Sequence, residues 1–250
     1  MLQIGCCGFP VGFSRYVREL PTAEVQRTFY RIPGRKTVER WKEKAPAEFI
    51  FTVKAWQGIT HPATSPTYRR SGLVLPDETK GQLGHFQPTE PVFEGWRETR
   101  ELARILGAPV ILLQAPPSFR ETAGNEENLR GFFSGIDRGN VRIALELRSP
   151  WDRAKLLDLC REFDLIHCVD PFGDTPVTGS PFYLRLHGSP PGKRMYAYRY
   201  TAEDLAWLRD RILGLRRKGD IYCLFNNLSM WDDALAFRDL LMADRGGRGP

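Results

Sequence analysis

Eight short runs along the chain are apolar throughout or alternate apolar with polar residues: QIGCCG (3–8), AEVQRTF (23–29), FIFTVKAW (49–56), VILLQAP (110–116), RIALELR (142–148), DLIHCVD (164–170), FYLRLHG (182–188) and DIYCLFNN (220–227). Their length and their β-branched and aromatic content predict strands. Helical patterns lie between most of them. Ser149 to Asp152, Thr201 to Asp204 and Ser229 to Asp232 each set a hydroxyl three residues before an acid, which predicts three capped helix starts. After the second of these, Leu205, Leu208, Ile212 and Leu215 recur at helical spacing and form a stripe suited to packing on a sheet. Residues 171–181 are too few and too rich in Pro and Gly for a full helix, so this layer is expected to be irregular.

Strand and helix alternating in this way over 250 residues predict a single-domain α/β fold, a (β/α)8 TIM-type barrel spanning 1–243. A long loop follows its third strand, and 244–250 form a flexible tail. A doubly wound open sheet would need a phosphate-binding glycine turn. GCCGFPVG (5–12) matches no such fingerprint, and GSPPGK (188–193) has three residues between its glycines where the P-loop has four.

Side chains alternate across a strand, so one set in each run faces the helices and the other faces the barrel interior. The oily sets, such as Phe51 and Val53, Leu184 and Leu186, or Cys223 and Phe225, belong on the helix side. The inward set is then Glu24, Gln26, Thr28, Thr52, Lys54, Gln114, Glu146, Arg148, Asp170, Arg185, His187 and Asn226, mostly in the C-terminal halves of their strands. In barrels of this type that end carries the chemistry. The plain structural alternative is a buried network of three cations and three acids, but desolvation makes such a network a poor source of stability.

Composition narrows the class further. No apolar run approaches the roughly 18 residues of a membrane helix, and Met1 leads straight into strand-like residues, so a soluble cytoplasmic protein is expected, with no membrane partner. Five cysteines without a Cys-x-x-Cys pair read as reduced thiols. A net charge of +6 permits an anionic partner without requiring one. The sequence carries no signal of oligomeric state.

The motifs EVQRTFYRIP (24–33), RW (40–41), FTVKAWQGITH (51–61), LLQAPPSF (112–119), ALELRSPW (144–151), RLHG (185–188) and FNN (225–227) together resemble the YecE-like family, a domain of unknown function with a TIM-type barrel. The resemblance runs from about residue 4 to 242, and it implies that Glu24, Thr28, Tyr30, Lys54, His61, Gln114, Glu146, Arg148, Trp151, Asp170, Arg185, His187 and Asn226 carry the site. It brings no reaction with it. The chain departs from the family pattern at Phe9, Gln26 and Ser149, where tryptophan, asparagine and histidine are frequent.

The chemistry follows from residue type. Arg148, Arg185 and Lys54 offer guanidinium forks and an ammonium for a carboxylate or phosphate. His187, two residues beyond Arg185 on the same face, is the expected acid/base, with Glu146 and Asp170 as base or orienting carboxylates. Glu24, Thr28, Tyr30, Gln114, Trp151 and Asn226, with His61 from the loop after the third strand, are expected to line the substrate. His85 and His167 read as structural. Glu24, Glu146, Asp170 and His187 would suit Mg or Mn, but the nearby cations compete for the same acids, so no cofactor is expected. The leading expectation is an enzyme, with hydrolysis foremost among acid/base reactions, acting on a small anionic molecule. The alternatives are a noncatalytic ligand-binding protein, or a barrel that binds or processes nucleic acid through SPTYRR (65–70) and the loop where Lys193, Arg194 and Arg199 interleave with Tyr196, Tyr198 and Tyr200.

Overall fold

The computed structural model describes residues 1–188 and 195–246, with side chains to 243. Its strands are β1 (Leu2–Cys7), β2 (Thr22–Val25), β3 (Ile50–Lys54), β4 (Val110–Gln114), β5 (Arg142–Glu146), β6 (Leu165–Val169), β7 (Phe182–Leu186) and β8 (Ile221–Phe225). The helices are α1 (Phe13–Glu19), α2 (Arg27–Tyr30), α3 (Arg35–Lys44), α4 (Gln57–Thr60), α5 (Thr67–Ser71), α6 (Asp77–Lys80), α7 (Glu90–Leu106), α8 (Ala123–Gly135), α9 (Arg153–Glu162), α10 (Ala202–Arg216) and α11 (Met230–Gly246). The parallel strands pair in chain order and close as a barrel, the single-domain TIM-type α/β fold that the alternation predicts. Two compact units make up the chain. One holds 1–24, 45–49 and the residues from 166 onward, and the other holds 25–44 and 50–165.

In the first unit β6, β7, β8, β1 and the start of β2 pair side by side, with Leu184 opposite Cys223, Gly5 opposite Leu224 and Cys7 opposite Glu24. The oily face of β8 turns toward the helices, since the Phe225 ring packs 6.0 Å from Phe237 of α11. Tyr222 faces the other way, 5.6 Å from Tyr183. Helix α10 starts with the predicted capping box of Thr201 and Asp204, and its Leu205, Leu208 and Ile212 are buried. Residues 171–181 hold no regular element, as expected.

In the second unit β3, β4 and β5 pair with Val53 opposite Ile111 and Gln114 opposite Glu146. Helix α7 covers them with a buried stripe that includes Val92, Trp96, Leu102 and Leu106. The long loop after β3 is not without structure. It contains α4, α5 and α6, and residues 84–86 fold back onto α4 through backbone bonds from Gly84 to Gly58, His85 to Thr60 and Phe86 to Ile59, at 2.7, 3.0 and 2.9 Å.

Four sequence expectations are corrected. Residues 26–29 are not strand: β2 ends at Val25, because its ladder with β1 stops at the Cys7–Glu24 pair, and α2 begins at Arg27. Ser149 does not cap α9. Its hydroxyl donates to the Phe119 carbonyl, and Asp152 itself caps the helix by accepting the Lys155 N–H at 2.9 Å. Ser229 precedes α11 but bonds Asp233, at 2.7 Å, in place of Asp232. The tail does not begin at 244, since α11 continues to Gly246, and 247–250 lie outside the described residues.

Candidate functional site

The first unit gathers its polar groups around β7. Tyr183, Arg185 and His187 share one face of the strand, and all three are buried, as parity requires. Glu24, at the end of β2, holds two of them: one carboxylate oxygen accepts the Tyr183 hydroxyl at 2.8 Å and the other accepts Arg185 Nη2 at 3.0 Å. Neither Glu24 nor Arg185 has measurable exposure, so this ion pair sits in a low-dielectric interior. Cys7 belongs to the same face. Burial pushes its thiol well above the usual range, partly offset by the Arg185 charge, so it stays protonated and is no nucleophile. Cys6 turns to the helix side, its Sγ 3.3 Å from the Met230 carbonyl, and burial raises it to about 12.

Beyond Arg185 the strand delivers His187 to Asp170, which follows β6. The same Asp170 oxygen accepts the His187 backbone N–H at 2.8 Å and lies 3.3 Å from His187 Nδ1. The other oxygen accepts the Phe172 N–H at 3.0 Å, so the carboxylate is fixed at both ends. A carboxylate can only accept here, which places the ring proton on Nδ1 and leaves the Nε2 lone pair facing Arg185 Nη1 at 3.4 Å. The Tyr196 ring stands edge-on to His187 at 5.8 Å and is partly exposed. A base oriented by a carboxylate, with a guanidinium beside its lone pair, can take a proton from a bound molecule and return it.

The second unit carries polar residues of its own on and after β3, β4 and β5. Lys54 is buried, with Nζ 2.7 Å from Gln114 Oε1 and 3.8 Å over the Phe29 ring. Glu146 and Arg148 pair at 2.6 Å. The Thr28 hydroxyl is taken up by the Val25 and Lys54 carbonyls and clamps α2 to β3. Tyr30 accepts from the Gln57 amide at its carbonyl, at 3.3 Å, and meets Phe29 edge-on. Trp151 donates to the Phe119 carbonyl and stacks on the Phe119 ring. The His61 ring meets Phe29 edge-on at 4.9 Å. Burial, reinforced by the charges of Lys54, His85 and Arg148, pushes His61 down to about 3, so it is neutral at physiological pH.

Each sequence-derived residue can thus be placed. Glu24, Asp170, Arg185 and His187 come together in one unit, and Lys54, Gln114, Glu146, Arg148 and His61 lie in the other. Gln26 is half-buried at the start of α2. Asn226 is half-buried and continues the β8 ladder through its N–H to the Leu186 carbonyl, whereas the buried neighbour Asn227 anchors the loop by donating to Tyr198, Ser229 and Asp233. Of the basic loop after β7, Lys193 and Arg194 lie outside the described residues. His167 is structural, with its Nδ1 accepting the Val177 N–H at 3.2 Å. Tyr183 and Cys7 lie on the faces that parity selects, yet their types did not mark them as partners of Glu24 and Arg185.

The acids weighed for Mg or Mn are occupied otherwise, Glu24 with Arg185 and Tyr183, Glu146 with Arg148, and Asp170 with His187. Among the described residues no group of three or more His, Cys, Asp or Glu side chains is placed to hold a metal ion. No helix among them is long and apolar enough to cross a membrane.

The family model described as "Protein of unknown function DUF72" matches residues 11–247. The UPF0759 protein YunF of Bacillus subtilis is 26% identical over 247 residues, covering 88% of this chain and 81% of that protein. The crystal structure of the DUF72 family protein EF0366 from Enterococcus faecalis superposes with a TM-score of 0.73 at 19% identity, covering 97% of this chain and 98% of the other. A xylose isomerase domain containing protein from Salmonella typhimurium shares the barrel more distantly, with a TM-score of 0.56 at 14% identity and 96% of both chains covered. At these identities the solved structures speak to the fold.

Proposed function

The chain belongs to the DUF72 family, and we propose that it is an enzyme performing acid/base chemistry on a small anionic substrate, with hydrolysis the first reaction class to test. His187 is the proton-transfer group, Asp170 its orienting carboxylate and Arg185 the fixed positive charge beside Nε2. The observation that carries this reading is the grip on His187, whose backbone N–H and Nδ1 lie 2.8 and 3.3 Å from a single Asp170 oxygen while Nε2 faces a guanidinium. That arrangement fixes the tautomer and makes Nε2, which accepts from the guanidinium, the ring atom that would exchange a proton with a substrate. An anion near Nε2 would gain from Arg185, which Glu24 and Tyr183 hold in place.

The test is a turnover screen of phosphate- and carboxylate-bearing sugar-like esters, followed by His187→Asn on any substrate found. A loss of about 10²- to 10⁴-fold in kcat is expected. Turnover at the native rate in that variant overturns the assignment. Nucleic-acid binding that falls steeply with salt, with no turnover of any small anion, overturns the reading as a whole.

A further inference from the structure

The second unit contains a cavity of about 740 Å³ that the acid/base reading does not use. Segments following two strands form it, residues 61–70 after β3 and 116–118 after β4, together with His85. Its walls combine His61, Arg70, His85 and Ser118 with the hydroxyls of Ser65 and Thr67 and with four prolines. No aspartate or glutamate is among the described residues lining it. We propose that this cavity is a binding site for a small organic phosphate, with the phosphate on Arg70 and the histidine and hydroxyl donors and the carbon body against the prolines.

The donor inventory supports this residue by residue. Arg70 sits in the last turn of α5, is exposed, and makes no ion pair or hydrogen bond with any described residue, so its fork is available to a ligand. His61 is buried, yet its Nε2 has no hydrogen-bond partner among the described residues. Its Nδ1 lies 2.8 Å from Thr60 Oγ1, and that hydroxyl has no other acceptor among the described residues. Thr60 therefore donates to Nδ1, which leaves the proton on Nε2 and makes His61 a neutral donor on the cavity wall. His85 holds Ser118 in place, with Nε2 3.0 Å from the Ser118 hydroxyl.

The His85 wall is rigid by construction. His85 and Phe86 both have positive φ, 51° and 55°, a conformation that costs residues with a Cβ of order 1 kcal/mol or more each. It persists because the backbone of 84–86 is bonded to α4 and the Phe86 ring is buried among Phe119, Phe132 and Phe133. A wall of fixed donors with no carboxylate favours an anion over a neutral sugar or a cation. The planar fork of Arg70 beside hydroxyls suits the tetrahedral oxygens of a phosphate.

The test uses the full chain, with glycerol 3-phosphate and inorganic phosphate as probes and glycerol as the neutral control. Titration followed through the imidazole NMR signals should give saturable shifts of His61 and His85 with glycerol 3-phosphate and none with glycerol. Arg70→Ala, at an exposed position, should leave the melting temperature unchanged and weaken binding by about tenfold or more, with Arg70→Lys between the two. His187→Asn should bind as the native chain does, so failure here is distinguishable from failure of the acid/base assignment. Equal response to glycerol, the absence of saturable shifts, or full affinity in Arg70→Ala overturns the site. Saturation by inorganic phosphate with the same affinity as the glycerol ester overturns the role given to the prolines.

Discussion

Arg185 lies 3.0 Å from Glu24 inside the barrel with neither residue exposed, and Tyr183 fills the second carboxylate oxygen. The guanidinium also reaches to 3.4 Å from His187 Nε2, so one buried cation links the ion pair to the proton-transfer group. Desolvating two charges costs several kcal/mol apiece, and oily side chains of similar volume would often stabilise as well. The pair therefore reads as a device that aims Arg185.

Removing one partner takes a buried charge contact from the other. Glu24→Gln keeps the shape and a hydrogen-bond acceptor but removes the carboxylate charge that faces the buried Arg185 at 3.0 Å, so a loss of about 3–5 kcal/mol in unfolding free energy is expected by denaturant titration. Glu24→Gln combined with Arg185→Met removes both charges and should recover more than half of it. A double variant no more stable than the single would show that the two residues do not act as a pair.

His187 should behave in the opposite way. His187→Asn retains the backbone N–H to Asp170, a short contact that anchors this turn, and is expected to change stability by less than about 1 kcal/mol while lowering kcat by about 10²- to 10⁴-fold. Asp170→Ala removes acceptors for both the His187 and Phe172 N–H groups, and its cost should reach about 2 kcal/mol. A His187→Asn protein that melts far below the native one would assign the histidine to structure.

The contrast between these residues shows what was readable from the chain. Alternation along FYLRLHG placed Arg185 and His187 on one face because β7 is regular to Leu186 and His187, one residue past its end, still lies beside Arg185 at 3.4 Å. The same logic failed for residues 26–29, where Thr28, Phe29 and Tyr30 carry strand-favouring side chains but the neighbouring strand offers no further partner after Cys7. Asn226 and Asn227 mark a similar limit, since parity loses meaning once β8 has ended at Phe225. The cavity of Arg70 and His85 was legible only in part, through His61 and the basic run SPTYRR (65–70), and its enclosure was not. It depends on two residues with side chains adopting positive φ and on a fold-back of the loop onto α4, and neither leaves a periodic pattern.

Gly188, at the exit from β7, has φ of 106°, and a Cβ placed there would lie 1.8 Å from the Met195 carbonyl oxygen. Its N–H is held by the Tyr200 hydroxyl at 2.8 Å, so the turn cannot relax without losing that bond. Gly188→Ala is expected to cost about 2 kcal/mol or more and to displace His187, lowering turnover even at temperatures where the chain is folded. Native activity in a stable Gly188→Ala protein would show that this turn does not position the histidine.

His61 makes stability depend on pH with a definite sign. In the native chain burial and nearby cations hold it at about 3, whereas in the unfolded chain it takes up a proton near the ordinary histidine value of about 6.5. Its contribution is therefore fully present above about pH 6.5 and is lost progressively as the pH falls toward about 3, since only the unfolded state gains the proton in that window. At pH 5 the loss from this one group is about 2 kcal/mol. His61→Gln, which cannot titrate, should make the change in unfolding free energy between pH 7.5 and 5 shallower by about that amount, measured by denaturant titration at the two pH values. An unchanged difference between native and variant would mean that the His61 ring is protonated in the folded chain, and with it the neutral donor assigned to the cavity wall would be lost.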